Sequence, residues 1–264
     1  MEEAKNCINC NEPLIGKFCY NCGEKVVEKS DFSIKTILQQ FVDGFTNFDS
    51  KFIKSFWFLL FKPGQLTENY VNGVRKPFMK PFQLFIVVNV LFFFILSGAD
   101  IFRIPSGYFF SIESNLKALE AIANTKQESV EFLKQIYDSE SLTNSKLYIF
   151  ILIPFLSFII WLVNFKKKLQ FGIHAIFAIH YLSFFMLFCV TLVILPREWF
   201  SPRVTQLTIF SFNFLYLTFA LKRFYNDNWK ITLLKTFTIV IVFFALIFLY
   251  REQISQFTLY LMHK

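Results

Sequence analysis

The sequence predicts an all-α integral membrane protein with about five transmembrane helices, and three observations support that fold class. The 264 residues are 55% hydrophobic, 20% aromatic and only 17% charged, whereas soluble proteins average about 25% charged residues. The apolar residues are gathered in runs, and a helix needs about 20 such residues to cross the hydrocarbon core of a bilayer. These runs do not alternate apolar and polar residues as the strands of a membrane barrel do. A helical bundle is therefore expected.

Five apolar runs without a central charge are the predicted spans of a bundle at residues 81–264. The first run follows a long polar, cysteine-bearing segment, so we expect an uncleaved span rather than a signal peptide. Lys235 lies close enough to the start of the last run for its ammonium group to reach the headgroups. The region between the first two spans, residues 98–146, is expected to be an outer loop with one or two surface helices. The spans cover about residues 81–99, 147–165, 171–195, 204–221 and 231–250.

The orientation follows from the positions of Lys and Arg, because cytoplasmic loops of membrane proteins carry the positive excess. The loops expected inside are basic, and the alternate loops are poorer in basic residues. The N-terminus is thus expected in the cytoplasm and the C-terminus outside. The net charge of +8 indicates this topology and an attraction for anionic lipids of the bilayer, and no nucleic-acid binding is expected. The basic residues are Lys51, Lys54, Lys62, Arg75, Lys76 and Lys80, then Lys166 to Lys168, then Lys222, Arg223 and Lys230.

Four cysteines near the N-terminus form the pattern C-x2-C-x8-C-x2-C: Cys7, Cys10, Cys19 and Cys22. Two chelating thiolate pairs match tetrahedral Zn²⁺, which binds sulfur at about 2.3 Å. Residues 1–29 are therefore predicted to be a zinc ribbon with a closed, structural site, which depends on the metal for its folding. Three alternatives stay open. They are a redox-active dithiol, a disulfide framework, which a reducing cytoplasm disfavours, and an iron–sulfur cluster, although the usual uneven spacing is missing.

Residues 30–80 are predicted to contain amphipathic helices followed by a basic juxtamembrane segment. Apolar residues recur at helical spacing over Phe32–Thr46, which predicts one helix. A second helix is expected to start after Asp49 or Ser50 and to end at Pro63-Gly64. It is too short to span a bilayer. Two interpretations of it remain open, namely a position at the headgroup boundary of an anionic leaflet and packing against the cytoplasmic ends of the bundle.

The segment that enters the membrane carries several short motifs beside the cysteine pairs. Together these are the four cysteines and Gly23, then Asn47, Asp49, Lys51 and Phe52, then Lys62, Pro63 and Gly64, then Tyr70, Gly73 and Arg75, and finally Pro81 and Phe82. In these residues the chain resembles the domain of unknown function 3667 family, bacterial integral membrane proteins with an N-terminal zinc ribbon. The resemblance covers about the first 85 residues, implies the bacterial cytoplasmic (inner) membrane as the location, and implies no known activity.

The predicted spans contain few polar residues, although such residues mark functional sites inside membranes. His174, His180, Asn89 and Asn213 form the candidate intramembrane polar site. The two histidines are six positions apart and so lie on different faces of a straight helix, where they cannot chelate one metal together. The asparagines are suited to hydrogen bonds between helices. No Asp or Glu lies centrally in a span, which argues against a proton-coupled carrier.

The sequence contains no Gly-rich phosphate loop, no H-E-x-x-H and no G-x-S-x-G, so no catalytic residue and no enzyme activity is predicted. The favoured function is a membrane-anchored interaction or scaffold module whose ribbon binds another cytoplasmic protein. One alternative is a small-molecule or lipid transporter, or an accessory to one. A further alternative is a thiol redox sensor. The oligomeric state is left open.

Overall fold

The structure is a computed structural model and describes residues 6–33, 36, 51–96, 100–194 and 202–263. These residues form helices and no β-strand, with only two isolated β-bridges near the cysteines, so the predicted all-α class is confirmed. Most of the predicted helix Phe32–Thr46 and the motif residues Asn47 and Asp49 lie outside the described residues.

In chain order the described α-helices are α1 (Phe52–Phe61), α2 (Gln65–Asn72), α3 (Pro81–Ile95), α4 (Ser106–Phe109), α5 (Glu113–Lys126), α6 (Val130–Tyr148), α7 (Leu152–Val163), α8 (Phe171–Ile194), α9 (Pro202–Tyr225) and α10 (Trp229–His263). Short 3-10 helices occur at Lys29–Phe32, Ile149–Ile151 and Phe165–Lys167.

Four helical segments of the described chain are long and apolar enough to cross a membrane: Val130–Val163, Phe171–Leu192, Val204–Tyr225 and Trp229–His263. They correspond to the second to fifth predicted spans. The first predicted span, residues 81–99, is present as α3, an apolar helix of 15 residues. At 1.5 Å per residue it is about 22 Å long, which is shorter than the hydrocarbon core. Its predicted last residues, 97–99, are not among the described ones.

The last helix extends well beyond its predicted end at residue 250. Helix α10 contains 35 residues, which makes it about 52 Å long. After the apolar run, buried residues recur at helical spacing at Ile254, Thr258, Leu259 and Met262. The prediction followed mean hydropathy, whereas the helix continues through an amphipathic stretch that buries only one face.

The chain divides into two compact units. Unit A comprises Met1–Ile95 and Phe155–Val240, and unit B comprises Leu96–Pro154 and Ile241–Lys264. In unit A, helix α8 is central: 89% of its apolar stretch is buried, against 33% for each of the other three candidate spans. Helix α3 packs along α8, and α1, α2 and α9 also contact it. A helix that is apolar all round requires such enclosure, whereas the remaining spans expose apolar faces suited to lipid.

Unit B contains α4, α5, α6 and residues 241–263 of α10. The prediction of helices within residues 98–146 is confirmed, and α6 continues to Tyr148, past the predicted start of the second span. Its apolar core includes Leu119, Leu133, Tyr137 and Leu259. Beside this core, the Arg103 guanidinium forms ion pairs with the carboxylates of Asp138 at 2.6 Å and Asp100 at 2.7 Å. The sequence reasoning did not single out this half-buried arginine.

Candidate metal centre

The four cysteine side chains meet in one cluster. Their Sγ atoms all lie within 4.8 Å of one another, and the distances Cys7–Cys22 and Cys10–Cys19 are both 3.5 Å. Four sulfurs bound at about 2.3 Å around a tetrahedral ion would be about 3.8 Å apart. Cys7 and Cys19 are buried, while Cys10 and Cys22 are partly exposed. The residues therefore fit a four-coordinate metal ion.

The cluster is built from two knuckles with the same backbone geometry. The amide of Asn11 donates to the carbonyl of Cys7 at 2.8 Å, and the amide of Gly23 donates to the carbonyl of Cys19 at 2.8 Å. Asn11 has φ 64° and Gly23 has φ 68°, the left-handed conformation that Asn and Gly tolerate best. Each knuckle thus presents its thiol pair in the same way.

The chemistry of this cluster is that of a closed site. A hydrogen bond from the backbone N–H of Cys22 lowers the pKa of the Cys19 thiol, which favours the thiolate that binds metals. Four cysteine ligands complete a tetrahedron and leave no coordination position for water or substrate. The arrangement can therefore hold a metal ion structurally, and it offers no open position for metal-ion catalysis.

The second knuckle is bound to the segment that follows α2, and the sequence reasoning missed the residue responsible. The Glu24 side chain is buried, with 5% of the residue exposed. Its Oε2 accepts hydrogen bonds from the backbone amides of Arg75 at 3.0 Å and Lys76 at 2.7 Å. Asp31 accepts from Lys25 at 2.7 Å and from Arg75 at 3.1 Å. We call the contacts of Glu24 and Asp31 with residues 75 and 76 the ribbon clasp.

The family-motif residues form the surface on which the ribbon rests. Gly73 ends α2 with φ 100°, and a Cβ there would lie 2.6 Å from Cγ2 of Val27, so only glycine allows this approach. The Arg75 side chain donates to the carbonyl of Tyr70 at 3.0 Å and lies 4.7 Å from its ring centroid. Tyr70 itself is buried against Phe32 and residues of α8. The motif Tyr70, Gly73 and Arg75 thus joins the ribbon to unit A's helices.

The preceding motif, Lys62, Pro63 and Gly64, brings α2 against α9. Gly64 has φ 74°, and a Cβ there would lie 2.6 Å from the carbonyl oxygen of Ala220. The two backbones are therefore in direct contact at this point. Lys62 places its ammonium group 4.5 Å from the Phe58 ring centroid. Helix α2 is accordingly held between the ribbon, α8 and α9.

The residues of the candidate intramembrane polar site are buried, and the two histidines and Asn213 bind separate partners. The Nδ1 atom of His180 lies 2.8 Å from the hydroxyl of Thr67 on α2. That of His174 lies 2.8 Å from the hydroxyl of Tyr225 on α9. Asn213 donates to the carbonyl of Ile209 in its own helix at 2.7 Å. Asn89 is buried on α3, with 9% of the residue exposed. The two histidines hold different helices in place and do not share a partner.

A further ionic cluster lies between the helices of unit A. Asp227 forms ion pairs with Lys167 at 2.7 Å and with Lys235 at 2.6 Å, and Lys235 also donates to the side chain of Asn164 at 2.8 Å. The expectation that Lys235 reaches the headgroups stays a prediction, and the structure adds that its ammonium group binds Asp227 within the protein. Asp227 is an acidic residue in an otherwise basic loop, and this was the sequence signal that could have indicated the ionic cluster.

One protein-family description matches this chain. The family described as "Protein of unknown function (DUF3667)" matches residues 49–93 of the 264 residues. The match includes α1, α2 and the motif residues Lys62, Pro63, Gly64, Tyr70, Gly73 and Arg75, so the resemblance is confirmed over this segment. The cysteine ribbon lies outside the matched residues. The chain has no match among the curated proteins or the solved structures.

Proposed function

We propose that this protein is a multi-pass protein of the bacterial cytoplasmic membrane that uses a zinc-bound ribbon as a docking module for another cytoplasmic protein. The observation that carries the proposal is that the ribbon is bound to the protein through some of its residues and exposes large apolar side chains elsewhere. One side is bound to Arg75 and Lys76, after helix α2, by the ribbon clasp. Elsewhere the ribbon exposes large apolar side chains, with 89% of Ile15, 62% of Phe18 and 67% of Tyr20 accessible.

Such exposure on a small module is typical of an interaction surface. The clasp supports this role because it holds the ribbon at a defined place relative to the helices of unit A. When bound, Zn²⁺ supplies the folding free energy that so small a segment cannot obtain from apolar burial. The ribbon residues then present the three exposed side chains to the partner.

The orientation belongs to the same proposal. The basic loops indicate that the ribbon faces the cytoplasm and that the C-terminus lies outside. A cytoplasmic position supplies reduced thiols for the metal and access to cytoplasmic proteins. The lipid bilayer is the second partner, and it contacts the exposed apolar faces of the spans.

The first experiment measures the metal. Full-length protein purified under reducing, chelator-free conditions is expected to contain about one zinc per chain, as a single four-cysteine site requires. Replacement of all four cysteines by serine removes the ligands and should abolish the bound zinc. A wild-type preparation without zinc would overturn the assignment of the metal.

The second experiment tests the docking role in living cells. A photo-crosslinking amino acid at Ile15 should capture the partner, whereas the same group at the exposed Lys117 of unit B should not. The double change Phe18→Ser and Tyr20→Ser should abolish capture while zinc content stays unchanged. If the four-serine variant or this double variant keeps every crosslinked partner of the wild type, the docking proposal fails.

The two other functions are less well supported. A transporter would use the polar residues of the spans, but His174 and His180 bind different helices. A redox sensor would cycle one C-x2-C dithiol, but the sulfur pairs Cys7–Cys22 and Cys10–Cys19, each 3.5 Å apart, join the two knuckles. Thiol labelling after oxidant treatment of cells distinguishes the redox sensor, since zinc-bound cysteines should keep their labelling pattern until the metal is removed.

A further inference from the structure

Helix α1 has two faces of different character. Ser55 and Leu59 are buried, at 0% and 1% exposure, where the helix packs against α2 and α8. On the other side Ile53, Trp57 and Phe61 are 80%, 56% and 61% exposed. These three residues are spaced four apart and therefore form one stripe along the helix. We call them the α1 stripe.

Two lysines border the α1 stripe. Lys54 and Lys62 are both exposed, and each is held against an aromatic ring. The Lys54 ammonium lies 5.3 Å from the ring centroid of Phe78, and that of Lys62 lies 4.5 Å from the ring centroid of Phe58. The stripe thus carries a positive charge near each end of a large apolar surface.

The length of α1 and its place in the chain indicate what covers the stripe. With 10 residues the helix is about 15 Å long, so it cannot cross a bilayer. It belongs to the same unit as α3, α8 and α9 and packs directly on the central helix α8. Short helices with an apolar face bordered by Lys lie in the headgroup region of membranes, where anionic phosphates complement the charge.

We propose that α1 is an in-plane anchor for an anionic lipid leaflet. The side chains of Ile53, Trp57 and Phe61 enter the boundary between headgroups and acyl chains. Lys54 and Lys62 bind the phosphates of anionic phospholipids from positions at the two ends of the stripe. This inference does not depend on the docking role of the ribbon, because it concerns a different surface and a different partner.

The test uses full-length protein in lipid nanodiscs, with Trp57 as the single tryptophan after Trp161→Phe, Trp199→Phe and Trp229→Phe. Lipids brominated on their acyl chains quench a tryptophan that they touch. Two mixtures are compared. One contains brominated phosphatidylglycerol with plain phosphatidylcholine, and the other contains plain phosphatidylglycerol with brominated phosphatidylcholine. We expect Trp57 to be quenched in both and to prefer the anionic lipid by about threefold or more, because the two lysine ammonium groups attract anionic headgroups.

The variant Lys54→Gln/Lys62→Gln should lower this preference to about one, with Trp57 still quenched by lipid. The matched control Lys166→Gln/Lys168→Gln removes two exposed lysines from another predicted cytoplasmic loop and should keep the preference. Three results would overturn the proposal. The first is quenching of Trp57 by water-soluble acrylamide but not by lipid. The second is no quenching by either agent, which indicates that a second copy or a protein partner covers the stripe. The third is equal quenching of wild-type Trp57 by both lipids.

Discussion

At the scale of single residues, Glu24 links the metal centre to the helices. Its carbonyl accepts the amide of Cys19 at 2.8 Å, while its carboxylate accepts the amides of Arg75 and Lys76. The first knuckle contains an equivalent residue, Glu12, whose carbonyl accepts the amide of Cys7 at 2.7 Å. Within the described residues the Glu12 carboxylate instead accepts the hydroxyl of Tyr20 at 2.9 Å, a residue of the ribbon itself. Glu12 in the first knuckle is therefore a matched control for Glu24 in the second.

The change Glu24→Ala should loosen the contact between the ribbon and the segment after α2 while the metal stays bound. It leaves two amide donors without their charged acceptor, and hydrogen bonds to charged groups contribute about 1.5 to 3 kcal/mol. Hydrogen exchange should therefore rise in peptides that contain Arg75 and Lys76. Glu12→Ala should leave exchange there unchanged, and zinc content should be equal in both variants. Equal exchange in the two variants would show that the Glu24 carboxylate does not hold this segment.

Asp227 gives a prediction about pH. Burial alone would raise the pKa of this carboxyl, but hydrogen bonds from Lys167 and Lys235 outweigh burial and lower the pKa. A carboxyl with a lowered folded pKa stabilises the fold fully above its unfolded pKa of about 3.9. That stabilisation is lost as the pH falls through the folded pKa. The melting temperature in detergent should therefore fall below about pH 4.

Asp227→Asn should already lower the melting temperature at pH 7, by the equivalent of about 1.5 to 3 kcal/mol. It should also lose less stability than the wild type between pH 5 and pH 3. Glu113→Gln serves as the control, because its ion pair with Lys117 is largely exposed and such pairs contribute little. Parallel pH profiles for the wild type and Asp227→Asn would contradict the role of Asp227.

At the scale of elements, the eight-residue helix α2 contacts the ribbon, α8 and α9. Gly64 and Gly73 bound it, and both have positive φ values of 74° and 100°. These two glycines allow backbone-level contact with α9 at one end and with the ribbon at the other. In between, Thr67 bonds His180 of α8. The matched family segment therefore includes the element that joins the parts of unit A.

The change Gly64→Ala should destabilise unit A strongly. The left-handed conformation costs a non-glycine residue about 1 to 2 kcal/mol, and the new Cβ would meet the Ala220 backbone at 2.6 Å. Because a backbone atom cannot rotate away, helix α2 must shift. Gly107→Ala is the control, since nothing lies within 4 Å of its Cβ position. The melting temperature should fall for Gly64→Ala alone, and an unchanged value would contradict the close contact.

At the scale of the whole molecule, the number of membrane crossings is the central question. Four segments of the described chain are long enough to cross, and α3, with 15 residues, is a shorter apolar helix that was predicted as a further span. If α3 crosses, the basic loops at Lys166–Lys168 and at Lys222, Arg223 and Lys230 lie on the same side as the ribbon. This agreement with the positive-inside pattern supports five crossings.

Fusions to alkaline phosphatase, which is active only outside the cytoplasm, test this topology. Fusions after Ile112 and after the C-terminal Lys264 should be active, while a fusion after Lys168 should be inactive. The alternation follows from five crossings with the N-terminus inside. An inactive fusion after Ile112 together with an active one after Lys168 would show that α3 does not cross.

Several features could be predicted from the sequence because they depend on local patterns. The spacing of Cys7, Cys10, Cys19 and Cys22 predicted the thiol cluster, since two chelating pairs need only short loops to meet. The bounds of α8 agree closely with the apolar run 171–195. The bounds of α10 do not, because residues 251–263 bury one face only. The position of Glu24 gave no local signal, since its partners lie 51 and 52 residues away.

The sequence by itself determined the helical membrane class and the candidate metal ligands, because run length, charge content and cysteine spacing are properties of the chain in one dimension. Tertiary structure alone decided the rest. It brings Glu24 to Arg75, directs His174 and His180 to different helices, and leaves Ile53, Trp57 and Phe61 of α1 exposed. These outcomes depend on which surfaces of distant segments meet, and burial and hydrogen bonding between such segments are established only when the chain folds.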